Sequence, residues 1–519
     1  MVIKTIMCGI FAVESFQENE QLIMEHWTQT KHRGPDNSSF VKKDGHFFGF
    51  HRLAINGLDK NGNQPFHYNN VILCCNGEIY NHNDLKKKYN INCHSNSDCE
   101  IILHLYQKIG IKDTISELSG YFAFILYDEN LKQFFVGRDP FGVRSLYMAK
   151  TIHQTFQWSS EIKSLLPHDG SVFNFPQGHY WDSKTHIFHP YYNYSFEESK
   201  PSFSSIYLLL ENAVKKRFML EREFGVFLSG GLDSSIIAAL VAKFSKTPIR
   251  TFAIGMKGSP DLHFAKVVAD YIGSLHTEYI VSAQEMLDAI PNVIYTIETY
   301  DITTIRASIP MYLLSKYIRE NTNIKVVFSG EGSDELSGSY LYFHNAPNDF
   351  EFQKECIHLL KNLSNYDCLR CDKTTAAWGL EVRTPFLDKE FAEQYMKISP
   401  SLKRPKNGIE KWFLRKCVEN ENLLPSSIIW RQKEAFSDGV SQKENSWYKV
   451  IHDFVSTHEI NKNHVYDHNA PISQESLYYR QLFEQYYPNS CHLLKQFWMP
   501  KWTKTNDPSA RELSVYEKN

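Results

Sequence analysis

Residues 225–235 read GVFLSGGLDSS. An apolar run ends at Ser229-Gly230-Gly231, and a helix-forming run, SSIIAALVAKF, begins at Ser234. A buried strand that turns through glycines into a helix is the building unit of a parallel sheet, because parallel neighbours need a crossover and the helix supplies it. The same loop has the makings of a phosphate cradle. Gly230 and Gly231 let the backbone come close to oxygens, Ser229, Ser234 and Ser235 offer hydroxyls, and the helix start offers free N–H groups with a favourable dipole. An acid among such donors, Asp233, makes sense if it holds Mg2+ that bridges phosphates. The plain alternative is a turn that caps a helix. The P-loop pattern G-x-x-x-x-G-K-[ST] is absent, so this is another kind of nucleotide loop. It is similar to the pyrophosphatase loop of ATP enzymes that release pyrophosphate and leave AMP on the substrate.

Working outward, IRTFAIG (249–255) reads as the next strand and DLHFAKVVADYIG (261–273) as the next helix. Strands alternating with helices predict a parallel α/β sheet from about residue 202, and residues 350–500 read as mostly helical. A second strand-to-loop junction, VVFSGEGSDELSGSY (326–340), brings Ser329, Gly330, Glu331, Asp334 and Glu335 into a glycine-rich turn. Carboxylates there suit a second Mg2+ ligand or a proton acceptor. Arg431 and Lys433 in WRQKEAFSDGV offer cations for a leaving pyrophosphate.

The first 190 or so residues differ. CGIFAV, VILCCNG, YFAFILYD and QFFVGRD are short β-like runs separated by turn signals, with a helix expected at DCEIILHLYQKIG. The polar stretch 191–205 reads as the linker. Cys8 stands at the head of the first strand. As a first residue its own α-amino group would serve as base for the thiol. Asn76 and Gly77 in NGEIYN can supply an oxyanion hole, and Arg52 and Asp98 can hold the carboxylate and ammonium of an amino acid.

The chain has 519 residues, too many for one ordinary core, and a net charge of −3. No basic excess argues for nucleic acid, and no apolar run reaches the roughly 18 residues of a membrane span. Ten cysteines without framework spacing fit reduced thiols in the cytoplasm. Cys368 and Cys371 read as buried helix cysteines rather than a metal pair.

Thirteen blocks, among them MCGIFA, HRGPD, HRLAI, NGEIYNH, GRDPFGVRSLY, LSGGLDSS, ETYDITTIRAS, SGEGSDEL, EVRTPFLD and KEAFSDG, occur in an order that resembles the glutamine-hydrolysing asparagine synthetases, most closely the eukaryotic type. The resemblance implies two domains. Residues 8–192 would be a class II glutaminase with an N-terminal-nucleophile αββα sandwich, and 202–519 an ATP-pyrophosphatase-type synthetase domain. Cys8 would attack glutamine, Asn76 and Gly77 would form the oxyanion hole, and Arg52, Asn76, Gly77, Glu78 and Asp98 would bind glutamine. Leu228, Ser229, Gly230, Gly231, Asp233, Ser234, Ile254, Ser329, Gly330 and Lys433 would bind ATP, with Asp233 and Asp334 on Mg2+. Glu331 would serve the β-aspartyl-AMP step and the attack of ammonia. Substrates would be glutamine, aspartate and ATP, and the enzyme a homodimer with no nucleic-acid or membrane partner.

One departure stands out. Family members begin Met-Cys, whereas MVIKTI precedes Met7 here. A peptide nitrogen on Cys8 cannot act as the base. Either the working start is Met7, or residues 1–7 are cut away, or the extension stays and only free ammonia is used.

Overall fold

The computed structural model describes residues 8–16, 19–168, 170–432, 439–442, 446–458, 465–504, 507 and 508. The chain divides into two compact units. One holds the residues up to Tyr194 with Met219–Glu223 and Thr375–Glu381, and the other holds the remainder.

The first unit contains two six-stranded sheets. One runs, in spatial order, Phe173–Asn174, Tyr147–Lys150, Phe156–Ser159, Gly9–Val13, His46–Arg52 and Asn37–Lys43. The other runs Ile187–Pro190, His179–Asp182, Gln133–Arg138, Gly120–Asp128, Val71–Ile79 and Phe66–Tyr68. Side chains alternate faces along a strand, and here both faces are covered. Ile10 and Ala12 meet Ile72, Cys74, Ala123 and Ile125 in a core between the sheets. Phe11 and Val13 point the other way, onto Ile23 and Trp27 of the Glu20–Thr28 helix. Leu73, Cys75, Phe122 and Phe124 point onto Leu85 and the Ile101–Glu117 helix. The result is the expected αββα sandwich. Double coverage explains why CGIFAV and YFAFILYD are unbroken apolar runs rather than alternating ones. The helix expected at 98–110 starts as a 3-10 turn over Asp98–Glu100 and continues to Glu117, kinked where Gly110 takes φ 73°.

In the second unit five strands lie in the order Leu275–Ile280, Arg250–Gly255, Phe224–Phe227, Val326–Phe328 and Glu381–Arg383. The first four pair in parallel. The chain moves outward from Phe224–Phe227 in one direction, then returns to add Val326–Phe328 on its other side. That reversal is a topological switch point, the place where open α/β sheets bind ligands at their carboxyl ends. Both glycine-rich loops leave the sheet there. The helix Leu232–Phe244 is buried over most of its surface, as its apolar composition requires. Residues 191–202 carry no helix or strand, and Cys368 and Cys371 are buried on the helix Asp367–Ala376. All ten cysteines are free. Among the described residues no helix is long and apolar enough to cross a membrane.

Trp158 lies fully buried between the two sheets, against Phe134 and Trp181. Trp158→Ala is expected to destabilise this unit by about 3–5 kcal/mol, read as a fall in the urea midpoint of its unfolding transition.

Candidate active sites

In the first unit, strand parity decides what faces Cys8. The residue shares the inward side with Ile10 and Ala12, and it packs against the core between the sheets. Asn76 shares parity with Ile72 and Cys74, so it faces the same core. The Cys8 thiol donates to the Leu53 carbonyl at 3.6 Å, and the Leu53 N–H donates to Sγ at 3.3 Å. Burial pushes the thiol up to about 12. The Leu53 N–H and Arg52 oppose that shift, while Glu381 and Glu78 add to it. Its backbone is held by Arg33, whose Nε donates to the Cys8 carbonyl at 3.1 Å. Arg33 is fully buried, as is its partner Glu161, and they pair at 2.9 Å. In the same HRGPD turn, a Cβ on Gly34 would fall 2.1 Å from the His51 carbonyl carbon. HRGPD therefore clamps the Cys8 backbone, a role its sequence did not announce.

The Asn76 side-chain nitrogen is buried and has no hydrogen-bond partner. A buried amide donor without a partner costs free energy unless a ligand satisfies it, so Asn76 suits a developing oxyanion. Gly77 has no room for a side chain, since a Cβ would sit 2.1 Å from the Tyr121 carbonyl oxygen. Glu78 accepts from the Asn56 side chain at 2.7 Å, and Asp98 accepts from the Ile79 N–H at 2.6 Å. Burial raises the Asp98 carboxyl, with the Ile79 N–H and His82 opposing. Arg52 is held by the loop around it. Four of its bonds go to the surrounding loop, at Asp59, Asn63, Asn56 and Gly57, which leaves Nε for a ligand. The GRDPFGVR block is structural: Asp139 accepts from the N–H groups of Phe141, Val143 and Arg144, and buried Arg144 lies 3.3 Å from Glu381.

In the second unit a cavity of about 220 Å³ opens at the switch point. Leu228, Phe252 and Ile254 give it an apolar wall, continued by Ala307, Met311 and Leu314, which recur at helical spacing on Ile302–Asn321. Ser229, Gly231, Asp233 and Ser234 line it from one loop, and Ser329, Gly330, Glu331 and Asp334 from the other. Gly230 does not line the cavity. It takes φ 71°, leaves no space for a Cβ against Ala265, and accepts from Arg431 at 3.0 Å. Ser229 and Ser234 bond each other at 3.0 Å, whereas Ser235 is fully buried away from the cavity. The helix beginning at Leu232 has no side-chain cap, so its first N–H groups are left for an anion. The loops touch: a Cβ on Gly330 would lie 2.8 Å from the Asp233 backbone.

Between them stands Lys411, unforeseen in the sequence. Its buried ammonium touches an Asp233 carboxylate oxygen and lies 2.6 Å from Asp334 Oδ1. Two carboxylates that converge on one cation fit a divalent ion as well as an ammonium. Arg370 pairs with Glu331 at 2.6 Å and with Asp367 at 3.0 Å, and its Nε is buried without a partner. Burial raises the Glu331 carboxyl, and Arg370 opposes the shift. Buried Glu335 is also raised, by burial and by neighbouring carboxylates. A charged group of both signs beside a phosphate cradle suits an amino acid zwitterion. Lys433 lies outside the described residues. Arg370 lies in the helix Asp367–Ala376 and Lys411 in a left-handed turn just before the helix Trp412–Glu419, and no local pattern marked either.

A buried thiol on the same core face as an amide donor in one unit, and an uncapped helix start between two glycine-rich loops in the other, fit one class: a glutamine amidotransferase unit joined to a nucleotide-dependent synthase. The family described as Glutamine amidotransferase domain matches residues 7–191, and Asparagine synthase matches 205–353 and 345–510. The chain is 44% identical over 561 positions to "Asparagine synthetase [glutamine-hydrolyzing]" of Cricetulus griseus, and 43% over 562 to that of Homo sapiens. Each match covers 98% of this chain and 99% of the relative. The chain belongs to the asparagine synthetase family. A solved enzyme of purine biosynthesis, 14% identical, overlaps 53% of this chain and 80% of its own with a TM-score of 0.32.

Lys411→Met leaves two carboxylates facing each other without a counter-charge. We expect ATP-dependent turnover to fall by about 10²–10³, with glutamine hydrolysis unchanged as the control for folding; both are read by product chromatography.

Proposed function

We propose that this chain synthesises asparagine from aspartate, ATP and ammonia drawn from glutamine, with residues 8–192 as the glutaminase and 202–519 as the synthetase. What carries this reading is the 43–44% identity to glutamine-hydrolysing asparagine synthetases along 98% of the chain.

In the glutaminase, the Cys8 thiol attacks the side-chain amide carbon of glutamine. The thiol proton passes to the α-amine of Cys8, when that amine is free, and on to the leaving ammonia. Asn76 Nδ2 and Gly77 meet the oxyanion, Arg52 and Asp98 hold the substrate's carboxylate and ammonium, and Glu78 completes the pocket. Water then releases glutamate from the thioester. Because burial opposes a standing thiolate, proton transfer accompanies attack.

In the synthetase, the apolar wall at Leu228 and Ile254 takes the nucleobase. The two loops and the open helix start take the phosphates, and the family resemblance assigns Lys433 to the pyrophosphate. Asp233 and Asp334 would hold Mg2+, which supplies charge neutralisation for the triphosphate. Lys411 keeps the two carboxylates close and offers a second positive charge. A β-carboxylate oxygen of aspartate attacks the α-phosphorus, the bond to pyrophosphate breaks, and β-aspartyl-AMP forms. Ammonia attacks the acyl carbon, the C–O bond breaks and AMP departs. Glu331, as a carboxylate whose affinity for a proton burial raises, accepts the proton that the attacking nitrogen loses. Arg370 and Asp367 face the amino acid's own charges. The free thiols and the family resemblance favour a cytoplasmic homodimer.

Cys8→Ala is expected to abolish glutamine-dependent asparagine formation and leave the ammonium-dependent reaction within about twofold, since its deletion touches only the first chemistry. Glu331→Ala should do the converse, keeping glutamine hydrolysis and losing asparagine from either nitrogen source. Loss of ammonium-dependent synthesis in Cys8→Ala, or its survival in Glu331→Ala, would show that the roles are misassigned.

A further inference from the structure

Outside both sites, four potential metal ligands gather on one edge of the first unit. The loop after the His82–Tyr89 helix carries Cys93 and His94, the 3-10 turn Asp98–Glu100 carries Glu100, and the next helix carries His104. Glu100 and His104 are four residues apart and so share a helical face. Ligand atoms of Cys93, Glu100 and His104 all lie within 4.8 Å of one another. His104 Nε2 is 2.9 Å from Glu100 Oε1, and His94 Nδ1 is 3.2 Å from the same oxygen. Tyr68 lies against both imidazoles, with ring centroids 4.5 and 5.2 Å away. The Glu100 carboxylate is buried and the His104 side chain is 9% exposed, whereas His94 is 60% exposed.

We propose that Cys93, Glu100 and His104 form a Zn2+ site, with His94 or water as the fourth ligand. Thiolate, imidazole and carboxylate together are the donor set of zinc rather than of magnesium or calcium. A tetrahedral ion with bonds of roughly 2.0–2.3 Å holds its ligands between 3 and 4 Å apart, so closing the site asks for about 1 Å of movement. An ion pair between Glu100 and the histidines would account for those three groups but leave the thiol without a role. Burial holds the Cys93 thiol up at about 11, with Lys86 opposing and Glu100 reinforcing. A divalent ion takes the place of the thiol proton, which leaves to solvent, and displaces the Lys86 ammonium. Glu100 Oε2 keeps the N–H and hydroxyl of Ser95. The ion would tie the loop at 90–100, which carries Asp98, to the helix behind it.

The test uses the full-length protein stripped with a chelator, then titrated with Co2+ and, in competition with a chromophoric chelator, with Zn2+. The account expects one ion per chain with a thiolate-to-cobalt charge-transfer band, which oxygen ligands such as Asp233 and Asp334 do not give. Cys93→Ser and His104→Gln should weaken Zn2+ binding by more than the roughly 10–100-fold that follows loss of an outer partner, with Cys491→Ser unchanged. Absence of the band in the unmutated protein overturns the proposal, whatever the variants do, and so does a band that survives Cys93→Ser. Neither outcome depends on asparagine formation.

Discussion

The buried ammonium of Lys411, set between Asp233 and Asp334, is the contact on which the synthetase half turns. Carboxylates repel, and two from different loops stay together only with a shared cation. The loops reach one another because their strands, Phe224–Phe227 and Val326–Phe328, are parallel neighbours at the point where the sheet reverses its order. They fit because Gly330 has no side chain to meet the Asp233 backbone. Given that arrangement, the rest of the cavity follows. The open start of the Leu232–Phe244 helix faces it, Arg431 ties down the Gly230 carbonyl, and Arg415 braces the chain from both sides. Arg415 bonds the side chain and carbonyl of Glu410 beside Lys411, and the carbonyls of Ile429 and Arg431.

The glutaminase half solves a different problem, which is to hold a thiol still inside a dry sandwich. Alternation along two strands puts Cys8 and Asn76 on the same inner core, and the Arg33–Glu161 pair fixes the Cys8 carbonyl. Burying such a pair brings a desolvation cost that only close geometry and extra hydrogen bonds offset. Here Glu161 also meets His32 at 2.9 Å and Lys163 at 2.7 Å. Within this site the buried Asn76 amide nitrogen is left without a hydrogen-bond partner.

Much of this was legible in the residues. Runs such as CGIFAV and VILCC are apolar on both parities, which signals strands covered on two faces. LSGGLDSS and SGEGSDEL carry their chemistry in consecutive residues, so both loops could be read before their contact was known. What stayed hidden depends on tertiary approach. Lys411, in a turn, and Arg370, in a helix, have other cations near them in the chain, and in the sequence nothing tells the buried ones from the solvated. Arg33 meets its partner Glu161 from 128 positions away, and the loop that surrounds Arg52 is not visible in HRLAI. Cys93 and His94 precede Glu100 by a few residues, and the turn of the loop between them brings them to it.

The central claim is that the cradle at the switch point adenylates a carboxylate, and isotope transfer tests it most directly. Aspartate labelled with 18O in its β-carboxylate is turned over with ATP and ammonium, and the products are weighed by mass spectrometry. Adenylation followed by attack of ammonia predicts one 18O in the AMP and none in pyrophosphate. Label in orthophosphate, with ADP as the nucleotide product, would mean an acyl phosphate instead and would contradict the account.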